Sequence, residues 1–414
     1  MSKNKLWTRD FTIITLGSAV SMLGNSLSSF AMNLLVLDYT GSTLLYALYI
    51  AMYTLPQIIV PIFSGALLDR FSRKRTIYTL DFISGGLFLL VAIILHQGLF
   101  SYALFAIFTF LLGCIQSIYT VAYQSFYPLL ITEGNFQKAY SIDSVLETLT
   151  NIMVPVSAIV YRFFGVVPLF LIDTASFIFA AIMEMQITAD EKYIETQKET
   201  RAENISHTKQ MLLDTREGFA YLKSEKGLLM IAIYFFFTAI TTGSNSVLVL
   251  PWFRGAFNNG EFIYMLVGGM MVLGRSIGGG IHYKTVIPEK MRYTVAMAVY
   301  ITINIIGAVY LYLPIPAMMA LCFIDGIGGV SSYTIRISAT QSYVPDEKKG
   351  RFNGAFNMLW TVGMLAGEGL AGGLSVILPD RAIISIVMTM CLIAAFVFIG
   401  GGKKHVEAIY NRAK

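Results

Sequence analysis

Charged residues, cysteine and histidine are all scarce in this chain. Asp, Glu, Lys and Arg make up 13% of the 414 residues and hydrophobic residues 56%, whereas charged residues form about 25% of a typical soluble domain. This composition excludes a soluble globular core. The three cysteines, Cys114, Cys322 and Cys391, lie far apart in apolar stretches, so they predict neither a disulfide framework nor a metal cluster.

The residue patterns of enzymes and nucleic-acid-binding proteins are also missing. His96 and His282 lie near the ends of apolar stretches, so no histidine is placed to act as a base at membrane depth. The run Gly278-Gly279-Gly280 lacks the Lys-Ser/Thr that completes a phosphate-binding loop. The positive charges fall in short loops. We therefore expect no enzymatic activity, no cofactor, no metal site and no nucleic-acid partner.

What the chain has instead is a series of long apolar stretches. A bilayer is crossed by about 20 apolar residues in a helix, and twelve stretches of this kind occur. They cover residues 11–37, 44–66, 76–96, 101–125, 139–160, 165–186, 227–250, 261–283, 293–313, 315–337, 353–378 and 381–401, numbered here as spans 1 to 12. The sequence thus predicts an all-α membrane protein with twelve transmembrane helices.

The distribution of Lys and Arg predicts the orientation. With both termini in the cytoplasm, 25 of the 30 basic residues fall in inside segments, 3 in outside loops and 2 within spans. Because cytoplasmic loops carry an excess of Lys and Arg, we expect a multi-pass protein of a bacterial cell membrane with both termini inside.

One polar stretch, residues 187–226, separates the first six spans from the last six. We predict an N-terminal bundle at 1–186, a cytoplasmic linker at 187–226, a C-terminal bundle at 227–401 and a cytoplasmic tail at 402–414. The part from His207 to Tyr221 fits an amphipathic helix on the inner membrane face or a plain solvated linker. Similar Gly, Ser and Asn clusters in spans 1 and 7 indicate a two-fold repeat of six spans.

A charged loop between spans 2 and 3 reads Gly65-x-x-x-Asp69-Arg70-x-x-Arg73-Lys74-Arg75. It resembles the cytoplasmic signature loop of the major facilitator superfamily. The passages 170–177, 217–222 and 345–352 further resemble the macrolide-efflux and siderophore-exporter branch of that family. The resemblance implies two pseudo-symmetric six-helix bundles, alternating access, and a substrate site between the bundles near the membrane midplane.

The resemblance also implies a cytoplasmic gate in this loop. Asp69 would lie at the positive end of span 11, near Asn353, and close the inner side. Gly65 would let span 2 approach a neighbour closely. The basic residues would add gate contacts or bind anionic lipid headgroups, although a plain positive-inside loop explains them equally well. These basic residues are Arg70, Arg73, Lys74 and Arg75.

Charges within spans cost about 2.5–3.5 kcal/mol at the helix centre, so each needs a role or a partner. One acid is expected to carry a proton or to act as counter-ion of a cationic substrate. The alternatives are a structural ion pair, such as Asp325 or Glu368 with Arg275, and a helix-end charge that reaches the interface. The candidates are Asp325, Glu368, Asp143, Glu147 and Asp173; Asp81 lies nearer the inner end of its span.

Polar side chains in the related spans 1 and 7 are candidates for the substrate cavity, with hydrogen bonding between helices an equal alternative. With the basic residue of span 8, the set is Asn25, Ser29, Thr242, Asn245 and Arg275. The pairs Gly274-x-x-x-Gly278, Gly363-x-x-x-Gly367 and Gly369-x-x-x-Gly373 predict close helix crossings.

The sequence therefore favours a monomeric secondary transporter that exports amphipathic organic compounds by proton antiport. Its expected partners are a small-molecule substrate, protons and membrane lipids. A lipid or metabolite carrier of the same fold is the first alternative. A non-transporting membrane scaffold is an alternative from another class.

Overall fold

The computed structural model describes residues 5–60, 72–132, 136–189, 207–284 and 287–412, and these ranges contain helices and no β-strand. The first helices are α1 (Arg9–Thr40), α2 (Thr43–Thr54), α3 (Arg73–His96), α4 (Tyr102–Phe126), α5 (Phe136–Phe164) and α6 (Val167–Met185). They are followed by α7 (His207–Ser224), α8 (Lys226–Ala256), α9 (Gly260–Lys284), α10 (Arg292–Val309), α11 (Ile315–Tyr343), α12 (Asp346–Leu374), α13 (Asp380–Ala394) and α14 (Lys403–Tyr410).

The helices reproduce the predicted apolar stretches. Within the described ranges, ten helical segments are long and apolar enough to cross a membrane, and each matches a predicted span. Spans 5 and 11 are present as α5 and α12, but these helices are more polar; α12, for example, begins in the charged sequence 346–351. The prediction of an all-α membrane protein is confirmed.

Local capping explains where several helices begin and end. The side chain of Thr8 accepts a hydrogen bond from the backbone N–H of Phe11 at the start of α1 (3.2 Å), and Ser72 accepts one from Arg75 at the start of α3 (3.1 Å). Such side chains satisfy N–H groups that have no partner inside the helix. Gly41, with φ of 57°, ends α1 in the left-handed conformation that glycine adopts readily.

Two compact units make up the fold. The first consists of Met1–Gly41 with Met52–Met211, and the second of Ser42–Ala51 with Leu212–Lys414. The first residues of α2 thus belong with the second unit, whereas the sequence division placed all of residues 1–186 in one bundle. Each unit is described by itself below.

In the first unit, α6 packs against both α1 and α3 through small residues. Gly17 and Gly24 of α1 and Gly85 of α3 face α6 so closely that an added Cβ would press on its atoms. Around Phe88 of α3, three further rings, those of Phe108, Phe170 and Phe177, pack with centroid distances of 5.3–5.8 Å. Small residues thus set the helix spacing and aromatic rings fill the adjoining core.

In the second unit, close crossings occur where two of the three predicted glycine pairs lie. A Cβ on Gly274 or Gly278 of α9 would press on backbone atoms of α11, and one on Gly363 or Gly367 would press on α8. The third pair behaves differently, since nothing described lies within 4 Å of a Cβ built on Gly369 or Gly373. The glycine spacing alone therefore did not decide which pairs form a crossing.

The second half of the helix α7 packs against α12. Gly218 lies directly against the backbone of Arg351 in α12, and Leu222 is 1% exposed. Beside this contact, Arg351 and Glu217 form a salt bridge of 2.5 Å. The described second half of α7 is therefore neither a solvated linker nor a helix that contacts lipid alone. The C-terminal α14 is held similarly, by a 2.8 Å hydrogen bond between the hydroxyl groups of Tyr410 and Tyr300.

Candidate functional site

One face of α1 carries only small residues where it meets α6. Gly17, Ser18, Ser21, Gly24 and Ser28 are all buried, and apart from the adjacent Gly17 and Ser18 they follow one another at three or four residues, which keeps them on the same side of the helix. Because these residues have little or no side chain, space remains opposite them for larger polar groups of α6. That space holds two carboxyl groups.

The first carboxyl group, Asp173, is held by hydroxyl donors. It is 0% exposed, Ser28 of α1 donates a hydrogen bond to Oδ2, and Ser176 donates to Oδ1 at 3.1 Å. A Cβ on Gly24 would lie 2.7 Å from Oδ1 and in contact with the Ser176 hydroxyl. Both carboxylate oxygens of Asp173 therefore accept hydrogen bonds. A larger residue at position 24 would occupy the space in which the carboxyl group lies.

The second carboxyl group, Glu184, lies beside a third acid, Asp81 of α3. They are 0% and 1% exposed, respectively, and close enough to interact electrostatically. We call Asp81 and Glu184 the carboxyl pair. Within the described part of the chain, both oxygens of Glu184 and Oδ2 of Asp81 accept no hydrogen bond from a group outside the pair, and no cation is within salt-bridge distance of either acid. The two carboxyl groups lie within hydrogen-bonding reach of each other.

Asp81 also lines a cavity of about 290 Å³ inside the first unit. The wall combines hydroxyl, amide and carboxyl groups with apolar side chains. The described residues that line it are Ser21, Met22, Asn25, Ser26, Tyr53, Asp81, Ser84, Leu112, Ile115, Gln116, Tyr119, Thr150 and Phe177. None of these is Lys, Arg or His, so the carboxyl group is the charged element of the described wall.

The polar side of the cavity is ordered by hydrogen bonds. Tyr119 of α4 shares a hydrogen bond of 3.4 Å between its hydroxyl and that of Ser18, and it interacts electrostatically with both members of the carboxyl pair. One turn earlier, the Gln116 amide donates to the hydroxyl of Thr120 at 3.2 Å. A cavity wall of apolar side chains with a few fixed polar groups suits a molecule that has both apolar and polar parts.

The family follows from a comparison with known proteins. The model of the Major Facilitator Superfamily matches residues 14–368 of this chain. The chain belongs to the major facilitator superfamily. Its proteins are membrane transporters, so this chain is a transporter and not an enzyme, as the sequence predicted.

Relatives of this transporter are distant. It is 22% identical to macrolide efflux protein A of Streptococcus pyogenes over 290 residues, which cover 66% of this chain and 68% of that protein. It is 24% identical to the MFS-type transporter YkuC of Bacillus subtilis (strain 168), over 58% of this chain and 56% of YkuC. It is 25% identical to YfiS of the same organism, over 86% of this chain and 83% of YfiS. The match therefore spans little more than half of YkuC.

Solved structures support the same fold. A bacterial homologue of the iron transporter ferroportin, in an inward-facing state, aligns with a TM-score of 0.70 at 12% identity, over 97% of this chain and 100% of that one. The nucleoside transporter NupG aligns with a TM-score of 0.62 at 11% identity, over 96% and 98%. At such identities the likeness concerns the fold alone.

The predicted cavity residues are divided between the two units of the transporter. Asn25 lines the cavity of the first unit, while Ser29 is half-buried on the same helix. Thr242 and Asn245 lie on α8, where the Thr242 hydroxyl donates to the Thr238 carbonyl of its own helix at 2.9 Å. Arg275 lies on α9 in the second unit.

The predicted proton carriers also fall in different places. Asp325 of α11 lies within electrostatic reach of Arg275, but the described structure contains no salt bridge between them. Glu368 of α12 is 1% exposed. Asp143 and Glu147 lie on α5, at positions whose side chains are outside what the structure describes. Among the candidates whose side chains the structure describes, Asp173 is the one beside the carboxyl pair, as an electrostatic neighbour of Asp81.

Half of the predicted gate lies outside the described residues, namely Gly65, Asp69 and Arg70. The other basic residues form the first turn of α3. Lys74 donates a hydrogen bond of 3.0 Å from Nζ to the Ile187 carbonyl, and Arg75 is exposed. Arg73 is partly buried in the same turn.

The carboxyl pair is the feature that sequence reasoning missed. Asp81 was placed near the inner end of its span, and Glu184 sits one residue before the end of α6, where a charge resembles an ordinary helix-end residue. The signal that could have pointed to it is the small-residue face of α1 at positions 17, 18, 21, 24 and 28. Such a face predicts that another helix packs closely against it and that larger side chains of that helix fill the volume left free by the small residues.

Proposed function

We propose that this transporter exports amphipathic organic compounds, of the drug, macrolide or siderophore type, in exchange for protons. The observation that carries the proposal is the cavity of the first unit, whose described wall combines apolar side chains with amide and hydroxyl groups and one carboxyl group. Such a wall can bind the apolar body of a solute while its polar groups fix the orientation. The name of the relative macrolide efflux protein A agrees with this substrate class.

The remaining expectations belong to the same proposal. The transporter works as a monomer in a bacterial cell membrane, with both termini in the cytoplasm. Asp69 closes the cytoplasmic side in one state of the alternating-access cycle. The basic residues that follow Asp69 contact anionic lipid headgroups or the gate.

A metabolite carrier is the second candidate, and the size of the cavity favours it. Ligand pockets usually measure about 300–1,000 Å³, and the cavity of about 290 Å³ lies at the lower limit. A solute smaller than a macrolide would fit this volume entirely. A macrolide would place only part of its body there.

Erythromycin export tests the proposal directly. The transporter is expressed in bacteria that lack their own major exporters, and radiolabelled erythromycin accumulation is measured with and without a protonophore. We expect lower accumulation than in empty-vector cells, and the protonophore should abolish the difference. Unchanged accumulation of erythromycin, together with transport of a nucleoside such as uridine, would replace the proposal by the metabolite carrier.

A matched pair of variants links this activity to the cavity. Gln116→Leu removes an amide from the cavity wall, whereas Gln186→Leu makes the same change at an exposed position after α6. Loss of one hydrogen bond to the solute is worth about 1.4 kcal/mol, or about tenfold in apparent affinity. We expect that loss for Gln116→Leu alone. Equal activity of both variants would remove the cavity as the substrate site.

A further inference from the structure

The negative charge that the carboxyl pair would carry if both acids were ionised is not offset by its described surroundings. Asp81 and Glu184 are buried side by side, and none of the described cations is within salt-bridge distance of them. Two ionised carboxylates in this position would repel each other, and each would lose its hydration. A proton held on the pair relieves both costs, as in other carboxyl dyads that share a proton.

The groups that face the pair do not supply a positive charge. From α4 the neighbour is the Tyr119 hydroxyl, and from α6 it is Asp173, which is itself acidic. From α1 the neighbour is Gly17, and Ser18 shares a hydrogen bond with Tyr119; neither residue of α1 titrates. Tyr53 of α2 and Thr150 of α5 complete the described cavity wall. The described surroundings are therefore neutral or acidic on every side.

The two acids of the pair differ in their access to the cavity. Asp81 is part of the cavity wall, as are Ser21 and Ser84. Glu184 is not part of that wall and lies against α1, where a Cβ on Gly17 would be 3.3 Å from its Oε1. A proton that leaves the pair thus exits through Asp81, while Glu184 stays enclosed.

We propose that Asp81 and Glu184 hold one proton between them, and that an amphipathic cation entering the cavity displaces this proton into water. The inference rests on the proposed function and deepens it, because it names the coupling site and the charge class of the substrate. The exchange is balanced. The O–H bond of a carboxylic acid breaks, water accepts the proton, and the positive charge of the solute takes its place beside the carboxylate.

Mutual exclusion at this site would produce antiport. One of the two carboxylate charges of the pair can be balanced by a proton or by a cationic solute, and the small cavity beside Asp81 brings the two into competition. A state that carries the solute then carries no proton on the pair, and the reverse holds on the return. Proton entry can therefore drive solute exit without any contact between them.

Infrared difference spectroscopy of the purified full-length protein tests the inference. The probe is tetraphenylphosphonium, a hydrophobic cation, and the signal is the carbonyl band of a protonated carboxylic acid at neutral pH. Adding the probe should diminish this band in the wild type and release about one proton per protein into weakly buffered solution. The Asp81→Asn and Glu184→Gln variants should lose that response.

The control is Glu261→Gln in the first turn of α9, which removes a carboxyl group from the second unit. It should keep the band and the proton release. The conservative variants Asp81→Glu and Glu184→Asp retain a carboxyl group and should keep part of the response. If the amide variants do not fold, the conservative variants decide, because a carboxyl band of the pair should shift in frequency in Asp81→Glu or Glu184→Asp. Absence of the band in the wild type, or a band that shifts in neither variant, would overturn the inference.

Two further outcomes would also overturn it. A band that persists in both amide variants would come from another acid, such as Asp173. A band that is lost in the variants but does not change when tetraphenylphosphonium is added would mean that the proton stays on the pair and does not exchange with the cation. Failure of the export function is a separate result, because erythromycin export can be absent while the band responds, or present while the band does not exist.

Discussion

At the scale of single residues, glycine on α1 decides whether acids can be buried on α6. The nearest atoms to a Cβ on Gly17 belong to Glu184 and the Ala180 carbonyl, and those to a Cβ on Gly24 belong to Ser176 and Asp173. The carboxyl groups thus occupy volume that side chains of α1 leave empty. Substitution at either glycine would disturb the acids without removing any charge.

Gly24→Ala should therefore destabilise the protein. The new methyl group would lie 2.7 Å from Oδ1 of Asp173 and in contact with the Ser176 hydroxyl, and enlarging a residue in a packed interface costs about 1–3 kcal/mol. We expect a lower Tm by size-exclusion thermal-shift measurement in detergent. The control is Gly86→Ala on α3, which has no described atom within 4 Å of its built Cβ.

Gly86→Ala should leave Tm unchanged or raise it, because alanine favours a helix over glycine by up to about 1 kcal/mol. If both variants melt at the wild-type temperature, α1 and α6 are not packed as closely at Gly24 as the structure shows.

At the scale of helices, the sequence predicted which segments are helical better than which helices meet. Each apolar stretch satisfies its own backbone hydrogen bonds as a helix, so its existence can be read locally. The approach of Asp81 to Glu184 joins α3 and α6, which are about a hundred residues apart. No local pattern specifies such a contact, and the pairs Gly363–Gly367 and Gly369–Gly373 look alike in sequence although only the first faces α8.

The helix α7 offers a test of what fixes one helix to another. Gly218 packs against the backbone of Arg351, whereas the Glu217–Arg351 salt bridge is solvent-exposed, with side chains 54% and 43% accessible. Gly218→Val should release α7 from α12, seen as faster amide hydrogen exchange over residues 207–224. Glu217→Gln should change exchange little, since exposed ion pairs contribute about 0–1 kcal/mol.

The opposite ranking of these two variants would mean that the ion pair, and not the close backbone contact, holds α7. Retention of normal exchange in both would mean that Leu222, buried at 1% exposure, is sufficient. Either result would identify the contact that holds the second half of α7 against α12.

At the scale of the whole molecule, orientation in the membrane is predicted from charge rather than from helix packing. The two units each have their own core, and nothing in helix packing distinguishes the inner from the outer side. With both termini placed in the cytoplasm, 25 basic residues fall in inside segments and 3 in outside loops, and this bias predicts the orientation. It was available from the sequence alone, whereas the carboxyl pair was not.

Cysteine accessibility tests the orientation. Starting from a variant with Cys114, Cys322 and Cys391 replaced by alanine, single cysteines are introduced at Arg75, Asn258 or Lys404, all exposed positions. In intact cells an impermeant maleimide should label Asn258→Cys, because the loop between α8 and α9 is predicted to lie outside. Arg75→Cys and Lys404→Cys should react only after the membrane is permeabilised. Labelling of Arg75→Cys or Lys404→Cys in intact cells would contradict the predicted topology. The basic first turn of α3 would then lie outside the cell.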